Sequence, residues 1–202
     1  MSSTETGDVA TIWLVGHNAD NSLNMTGSDR YCATAGACEI DVCWDQPVTP
    51  TTNPAVEIGV LYKTGVTYAI QRYTLDPDPV RTGNYFDPLP VSPAIVRTST
   101  TLAAGCGKAS VYKTTITLPA SPISLRLRPY YNQTTFTVGS ESSSIGSGRI
   151  LPAQGFEVSS IGKTESGVTR KIVVKKKYDA PASMFDFVLY ANETITHDAY
   201  TP

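Results

Sequence analysis

The residues of this 202-residue chain with the most definite chemistry are four cysteines, Cys32, Cys38, Cys43 and Cys106. An even set can pair as disulfides, bind a metal or stay as buried thiols. Intervals of five, four and 62 residues between successive cysteines do not make the two paired knuckles of a structural zinc site. The two histidines, His17 and His197, are not needed where four thiolates would already complete a tetrahedron. Disulfides are therefore the favoured chemistry, and four cysteines allow three pairings. Cys32 and Cys38 flank the small loop ATAGA, which can bring two β-carbons within bridging distance. That pairing leaves Cys43 for Cys106, closing a loop of about 64 residues worth roughly 4 kcal/mol in the chain-entropy model.

Other chemical constellations are weaker. Nucleophilic catalysis needs a nucleophile with a base in reach and an oxyanion donor, but the histidines lie near opposite ends and no G-x-S-x-G is present. The carboxylate pairs Asp76 with Asp78, or Asp186 with Glu157, are the sort found on any protein surface. Asp76-Pro77-Asp78 and His17-Asn18-Ala19-Asp20-Asn21 offer oxygen atoms a calcium ion could use, yet neither fits the EF-hand pattern, and turn-forming Asp and Asn side chains explain both. LPAQG at Leu151–Gly155 is similar to a sortase signal but lacks the apolar tail and basic end that such a signal needs. The triplets Asn24-Met25-Thr26, Asn132-Gln133-Thr134 and Asn192-Glu193-Thr194 match a glycosylation acceptor that matters only in a eukaryotic secretory pathway. No catalytic residue, metal ligand or cofactor is nominated.

Composition narrows the partners. Sixteen basic and eighteen acidic side chains give a net charge of −2, so no global field recruits nucleic acid or an anionic membrane. The one basic cluster, KIVVKKK at Lys171–Lys177, splits between the two faces of a strand, with Lys175 and Lys177 opposite Lys176. Lysines so placed discourage edge pairing and make no nucleic-acid stripe. Eleven tyrosines and five phenylalanines are the larger resource. In Tyr85-Phe86 and Tyr130-Tyr131 neighbouring rings fall on opposite sides of an extended chain, so Tyr85, Phe86 and Tyr131 are candidate contact aromatics for a glycan or a partner's pocket.

The elements that must position these groups read as strands, because apolar residues alternate with polar ones and helical spacing is almost missing. The predicted strands are Ala10–Val15, Ser22–Met25, Cys38–Trp44, Val56–Lys63, Val66–Tyr73, Ser110–Leu118, Ile123–Pro129, Thr134–Val138, Gly155–Gly162, Val168–Tyr178 and Met184–Ala191. Thr64-Gly65 joins the clearest pair as a tight hairpin, and Thr164–Gly167 joins another. Residues 75–99 form a Pro-rich excursion in which Pro77, Pro79, Pro88, Pro90 and Pro93 oppose regular pairing, with a short strand or turn at Ala94–Arg97. Residues 139–148 are a Ser/Gly loop, and Leu102–Lys108 is a turn. The composition, with 17% charged residues against about 25% in an average soluble protein, suits an extracellular β-protein. The expected fold is all-β: an antiparallel β-sandwich, or a partly open barrel-like arrangement, forming one domain over residues 1–202 with long Pro-rich loops.

The order LRLRPYY (125–131), L-P-x-Q-x-F-x-V-x-S-x-G (151–162), G-V-x-R-K-I-V-V (167–174) and P-x-x-x-F-D-F-V-L-Y (181–190) resembles the C-terminal half of minor type IV pilin-like proteins of bacteria. Weaker similarity covers Ile40–Trp44 and Gly65–Tyr73. The resemblance implies the head domain of a cell-surface subunit, with other pilin subunits or cell-surface proteins as partners and no catalytic turnover. It also implies membrane contact only through a long apolar N-terminal helix. The text MSSTETGDVATIWLVG contains no such helix, so the expectation is a chain cut after the anchor, with Met1-Ser2 as an added start. The alternative expectation is a secreted carbohydrate-binding or adhesin module.

Overall fold

The computed structural model describes residues 3–32, 38–45, 52–81, 83–84, 86, 95–98, 106–107, 111–139 and 150–181. Ten strands run in chain order: β1 (Ala10–Trp13), β2 (Cys38–Asp45), β3 (Ala55–Thr64), β4 (Thr67–Leu75), β5 (Ile95–Thr98), β6 (Val111–Leu118), β7 (Pro122–Tyr130), β8 (Phe136–Gly139), β9 (Gly155–Lys163) and β10 (Thr169–Lys177). They form two four-stranded antiparallel sheets, ordered β1-β7-β3-β4 and β5-β6-β2-β8, and a separate β9–β10 hairpin. Among the described residues each four-stranded sheet keeps two edges, so the architecture is the sandwich and not a closed barrel.

Alternation fixes which side of each strand is buried. Ile40, Val42 and Trp44 of β2 and Tyr112, Ile116 and Leu118 of β6 meet Val56, Ile58 and Val60 of β3 and Leu125 and Leu127 of β7 in one buried cluster. A period of two places each of these sets on one face of its strand. The two sheets are thus the halves of a single core. Trp44, fully buried, donates its indole N–H to the Pro54 carbonyl at 3.1 Å, which satisfies the one polar atom that its burial would otherwise leave unpaired.

The opposite face of the β5-β6-β2-β8 sheet is closed as well. Cys43, Cys106 and Val111 form a second buried cluster there. Asp41, with no exposed surface, accepts from the Thr115 hydroxyl and faces the Lys113 ammonium at 3.0 Å. Both bridges take the pairing that the spacing favours: Cys32–Cys38 and Cys43–Cys106, each with Cα atoms 5.9 Å apart. The short bridge fastens the entry to β2, and the long one fastens the segment leading into β6.

Connections depart from the sequence reading in small ways. The β3–β4 hairpin pairs Thr64 with Thr67 across Gly65-Val66, one residue later than expected. Gly65 takes φ 59°, the positive value a tight hairpin wants at its first loop position. Ser22–Met25 is not a strand. Asp20 accepts from the Ser22 N–H and Asn24 from the Gly27 N–H, and such local side-chain bonds compete with ladder formation. Only the isolated bridge His17–Leu23 survives of that pairing. The strand at the end of the Pro-rich excursion is β5, paired antiparallel with β6. Cys106 and Gly107 lie in a turn, as expected. Tyr85, His197, most of the Ser/Gly loop and Met184–Ala191 lie outside the described residues.

Candidate contact surface

The β9–β10 hairpin stands apart from the sandwich. Its nine-residue strands pair in unbroken register, Gly155 with Lys177 through Lys163 with Thr169. The turn closes with the Thr164 N–H donating to the Val168 carbonyl and the Gly167 N–H to the Thr164 carbonyl, both at 2.9 Å. Nearly every side chain is exposed, although a third of them are apolar or aromatic. Phe156, Val158, Ile172 and Val174 share one face, and Ile172 retains 65% of its surface. Ile161 and Val173 lie on the other face with Lys171 and Lys175. A contiguous apolar strip that stays in water marks a place where something else binds.

Charge adds to the pattern. Residues 155–177 hold six cations, Lys163, Arg170, Lys171, Lys175, Lys176 and Lys177, against Glu157 and Glu165, for a net of +4. With the whole chain at −2, the rest carries −6. The hairpin is therefore a cationic arm on an acidic body, an asymmetry the overall charge conceals.

The arm is mounted firmly. The side-chain amide of Gln154 accepts from the Trp13 N–H at 2.7 Å and donates to the Trp13 carbonyl at 2.9 Å, pairing with the free edge of β1 as a strand would. Gly155 follows, and a β-carbon there would come within 2.2 Å of the Lys176 carbonyl oxygen, so the close approach of the two strands at the base requires glycine. The Tyr178 N–H donates to the Gln154 carbonyl. Around these bonds the rings of Trp13, His17, Tyr178 and Phe156 touch in series. His17 stacks on Tyr178 at 3.8 Å and meets Trp13 edge-on at 4.7 Å, and Phe156 lies 6.2 Å from Tyr178. Burial lowers the His17 pKa, with the nearby Asp29 carboxylate pulling the other way.

A second feature is the loop after β4. The Asp76 carboxylate, almost fully buried, accepts from the Asp78 N–H at 2.9 Å, from Arg81 Nε at 2.8 Å and from the Asn84 amide at 2.7 Å. Its oxygens are thus occupied by protein donors, and the Asp20 carboxylate is likewise taken by Ser22. Among the described residues no three His, Cys, Asp or Glu side chains gather as a metal would require. The hydrogen bond to Asp76 raises the Arg81 pKa further, against the effect of burial.

Arg81 in turn lies over the Tyr131 ring at 4.4 Å. Tyr131 takes φ 68° and keeps about half its surface, 46%. Phe86 is half-buried and meets Tyr130 edge-on at 5.2 Å. Tyr130 donates to Glu57 at 2.8 Å, and burial, followed by that bond, raises its pKa. Of the candidate aromatics, Phe86 packs on Tyr130, the chain neighbour of Tyr131, while Tyr131 itself stays half-exposed against Arg81. Sequence reasoning weighed His17 only as a metal or catalytic group, and it did not single out Gln154 or Asp41. The only signal for Gln154 was its place in the L-P-x-Q run.

Comparison of the chain with protein-family models, with curated proteins and with solved structures returns no match.

Proposed function

We propose that the chain is a contact domain without catalytic turnover: the exposed head of a minor type IV pilin-like cell-surface protein that works in filament assembly or adhesion. The observation that carries the proposal is the cationic, apolar β9–β10 arm, held at its base by Gln154 and the ring series and left open along its length. An apolar strip of four side chains, two on each strand of the ribbon, offers a bed for an apolar helix, the element by which a pilin-like subunit would join its filament. Two disulfides fit a protein that works in an oxidising compartment outside the cytosol. Its partners would be other pilin subunits or cell-surface proteins. The direct test is to read the coding sequence upstream of Ser2 and to label intact cells with antibody raised against this domain. An apolar helix of about 20 residues together with filament labelling supports the proposal, and a plain secretion signal with no surface label rejects it.

A second reading is a secreted carbohydrate-binding or adhesin module. It is favoured by Tyr131, whose outward ring is fixed by the Arg81 guanidinium and so needs little ordering to stack on a sugar. Binding on a glycan array that disappears in Tyr131→Ala would support it. An array with no hits removes it.

A further inference from the structure

We propose that Lys113 and Asp41 condense in the folded protein to an isopeptide bond, an amide between the Lys113 side-chain nitrogen and the Asp41 carboxyl carbon that ties β2 covalently to β6. The inference is independent of the pilin-like reading.

The ladder brings the two groups together. Asp41 lies opposite Thr115 and Cys43 opposite Lys113, so all four side chains stand on one face of the β2–β6 pair. Lys113 is the diagonal neighbour of Asp41, a separation that a long side chain spans. Its ammonium lies 3.0 Å from Asp41 Oδ2, with the Asp41 side chain fully buried and that of Lys113 12% exposed. Beside them on this face the Cys43–Cys106 bridge and Val111 form the second buried cluster.

The carboxylate is unevenly served. Oδ1 accepts from the Thr115 hydroxyl, whereas Oδ2, equally buried, makes no hydrogen bond, and its contact with Lys113 is an approach of charges alone. Two charges taken out of water are repaid by their attraction only when the pair is well aligned and its remaining atoms are bonded. A buried acceptor without a donor adds to the cost. Condensation removes both charges together with the oxygen that lacks a donor. Oδ1 remains as the amide carbonyl and still accepts from Thr115.

The step balances within the pair. The ammonium passes one proton to Oδ2, giving an amine and a carboxylic acid. The amine lone pair attacks Cγ and forms the C–N bond. The C–Oδ2 bond then breaks, and Oδ2 leaves as water with the proton it received and a second one from the nitrogen. Nothing is oxidised or reduced. Two strands of one ladder hold the reactants in contact, which makes the attack unimolecular. The Thr115 hydroxyl stands where negative charge develops on Oδ1 in the tetrahedral intermediate, and burial of Asp41 withholds the water that would reverse the reaction. The product would keep β2 joined to β6 after both disulfides are reduced.

Mass spectrometry of the full chain, folded and then fully reduced, is the test. The expected mass is about 18 Da below that of the linear sequence, the loss of one water on intramolecular condensation. Trypsin should then leave the bond after Lys113 uncut and release a branched peptide joining residues 31–63 to 109–126. Lys113→Arg keeps the cation but replaces the attacking amine with a guanidinium that stays protonated, so it should return the full mass. Full mass in the parent, with cleavage after Lys113, overturns the proposal. So does a deficit of one water that persists in Lys113→Arg, which would place the dehydration elsewhere in the chain.

Discussion

The side-chain amide of Gln154 occupies the same two backbone atoms of Trp13 that a neighbouring strand would use, at 2.7 and 2.9 Å. Trp13 belongs to β1, an edge of its sheet, so this contact both blunts an open edge and fixes where the β9–β10 arm leaves the sandwich. Gln154→Leu removes both bonds and is expected to cost about 1–3 kcal/mol of arm docking. Gln154→Glu keeps the acceptor but sets a carboxylate against the Trp13 carbonyl, and should cost as much or more. Hydrogen exchange is the measurement. Amides of 155–177 should exchange faster in both variants, with β2 and β3 unaffected; equal rates in variant and parent would show that the arm is held by the rings alone.

The His17–Tyr178 stack makes the same junction sensitive to pH. His17 Nδ1 is buried without a hydrogen-bond partner, and burial lowers the group's pKa below its ordinary 6.5. The folded state therefore binds this proton less readily than the unfolded chain does. The stability tied to His17 is complete above about pH 6.5, declines as pH falls below it, and stops declining once pH is under the folded-state value. Melting curves between about pH 7.5 and pH 5 should show a fall in the parent that is smaller in His17→Gln. A histidine titration followed by NMR at or above 6.5 would contradict the argument.

The sandwich was legible in the sequence because its strands obey one rule without interruption: Ile40-x-Val42-x-Trp44 and Val56-x-Ile58-x-Val60 bury every second residue against each other. The bridges were legible for a related reason, since a five-residue loop between Cys32 and Cys38 leaves few ways to pair the remainder. What the sequence hid depends on contacts between distant segments. Gln154 and Trp13 are 141 residues apart, and no local pattern distinguishes an amide that pairs with a strand edge from one in water. Ser22–Met25 alternates as a strand does, but Asp20 and Asn24 hold its backbone in turns. The cationic arm was half visible: the basic run from Arg170 to Lys177 was evident, while Lys163 joins it only through the register of the hairpin.

Thr114 provides a test of the core itself. It lies on the inward face of β6, 1% exposed, and its hydroxyl has no partner. Its neighbour Thr115 faces the other way and donates to the buried Asp41 carboxylate. Thr114→Val removes an unpaired polar atom at nearly constant shape and should stabilise the protein by about 1 kcal/mol, a rise of roughly 2–4 °C in Tm for a chain of this size. Thr115→Val should instead destabilise by about 1.5–3 kcal/mol, because the lost bond is to a charged group. Thermal unfolding of the two variants decides, and changes of the same sign would mean that the faces have been assigned wrongly.

The two disulfides should differ in worth because they close loops of different length. Cys43 and Cys106 are 63 residues apart and Cys32 and Cys38 only six. In the chain-entropy model the long loop contributes about 4 kcal/mol and the short one about 2 kcal/mol. Paired serine substitutions test this without leaving odd thiols: Cys43→Ser with Cys106→Ser should lower the denaturant midpoint about twice as far as Cys32→Ser with Cys38→Ser. The long bridge also belongs to a buried cluster with Val111, so its removal loses packing beyond the loop term, which increases the difference in the same direction. Equal losses from the two pairs would show that the short bridge acts on the folded state, by holding Tyr31 against the Glu39 carbonyl at 3.0 Å, and a Tyr31→Phe substitution in each background would then separate that contact from loop closure.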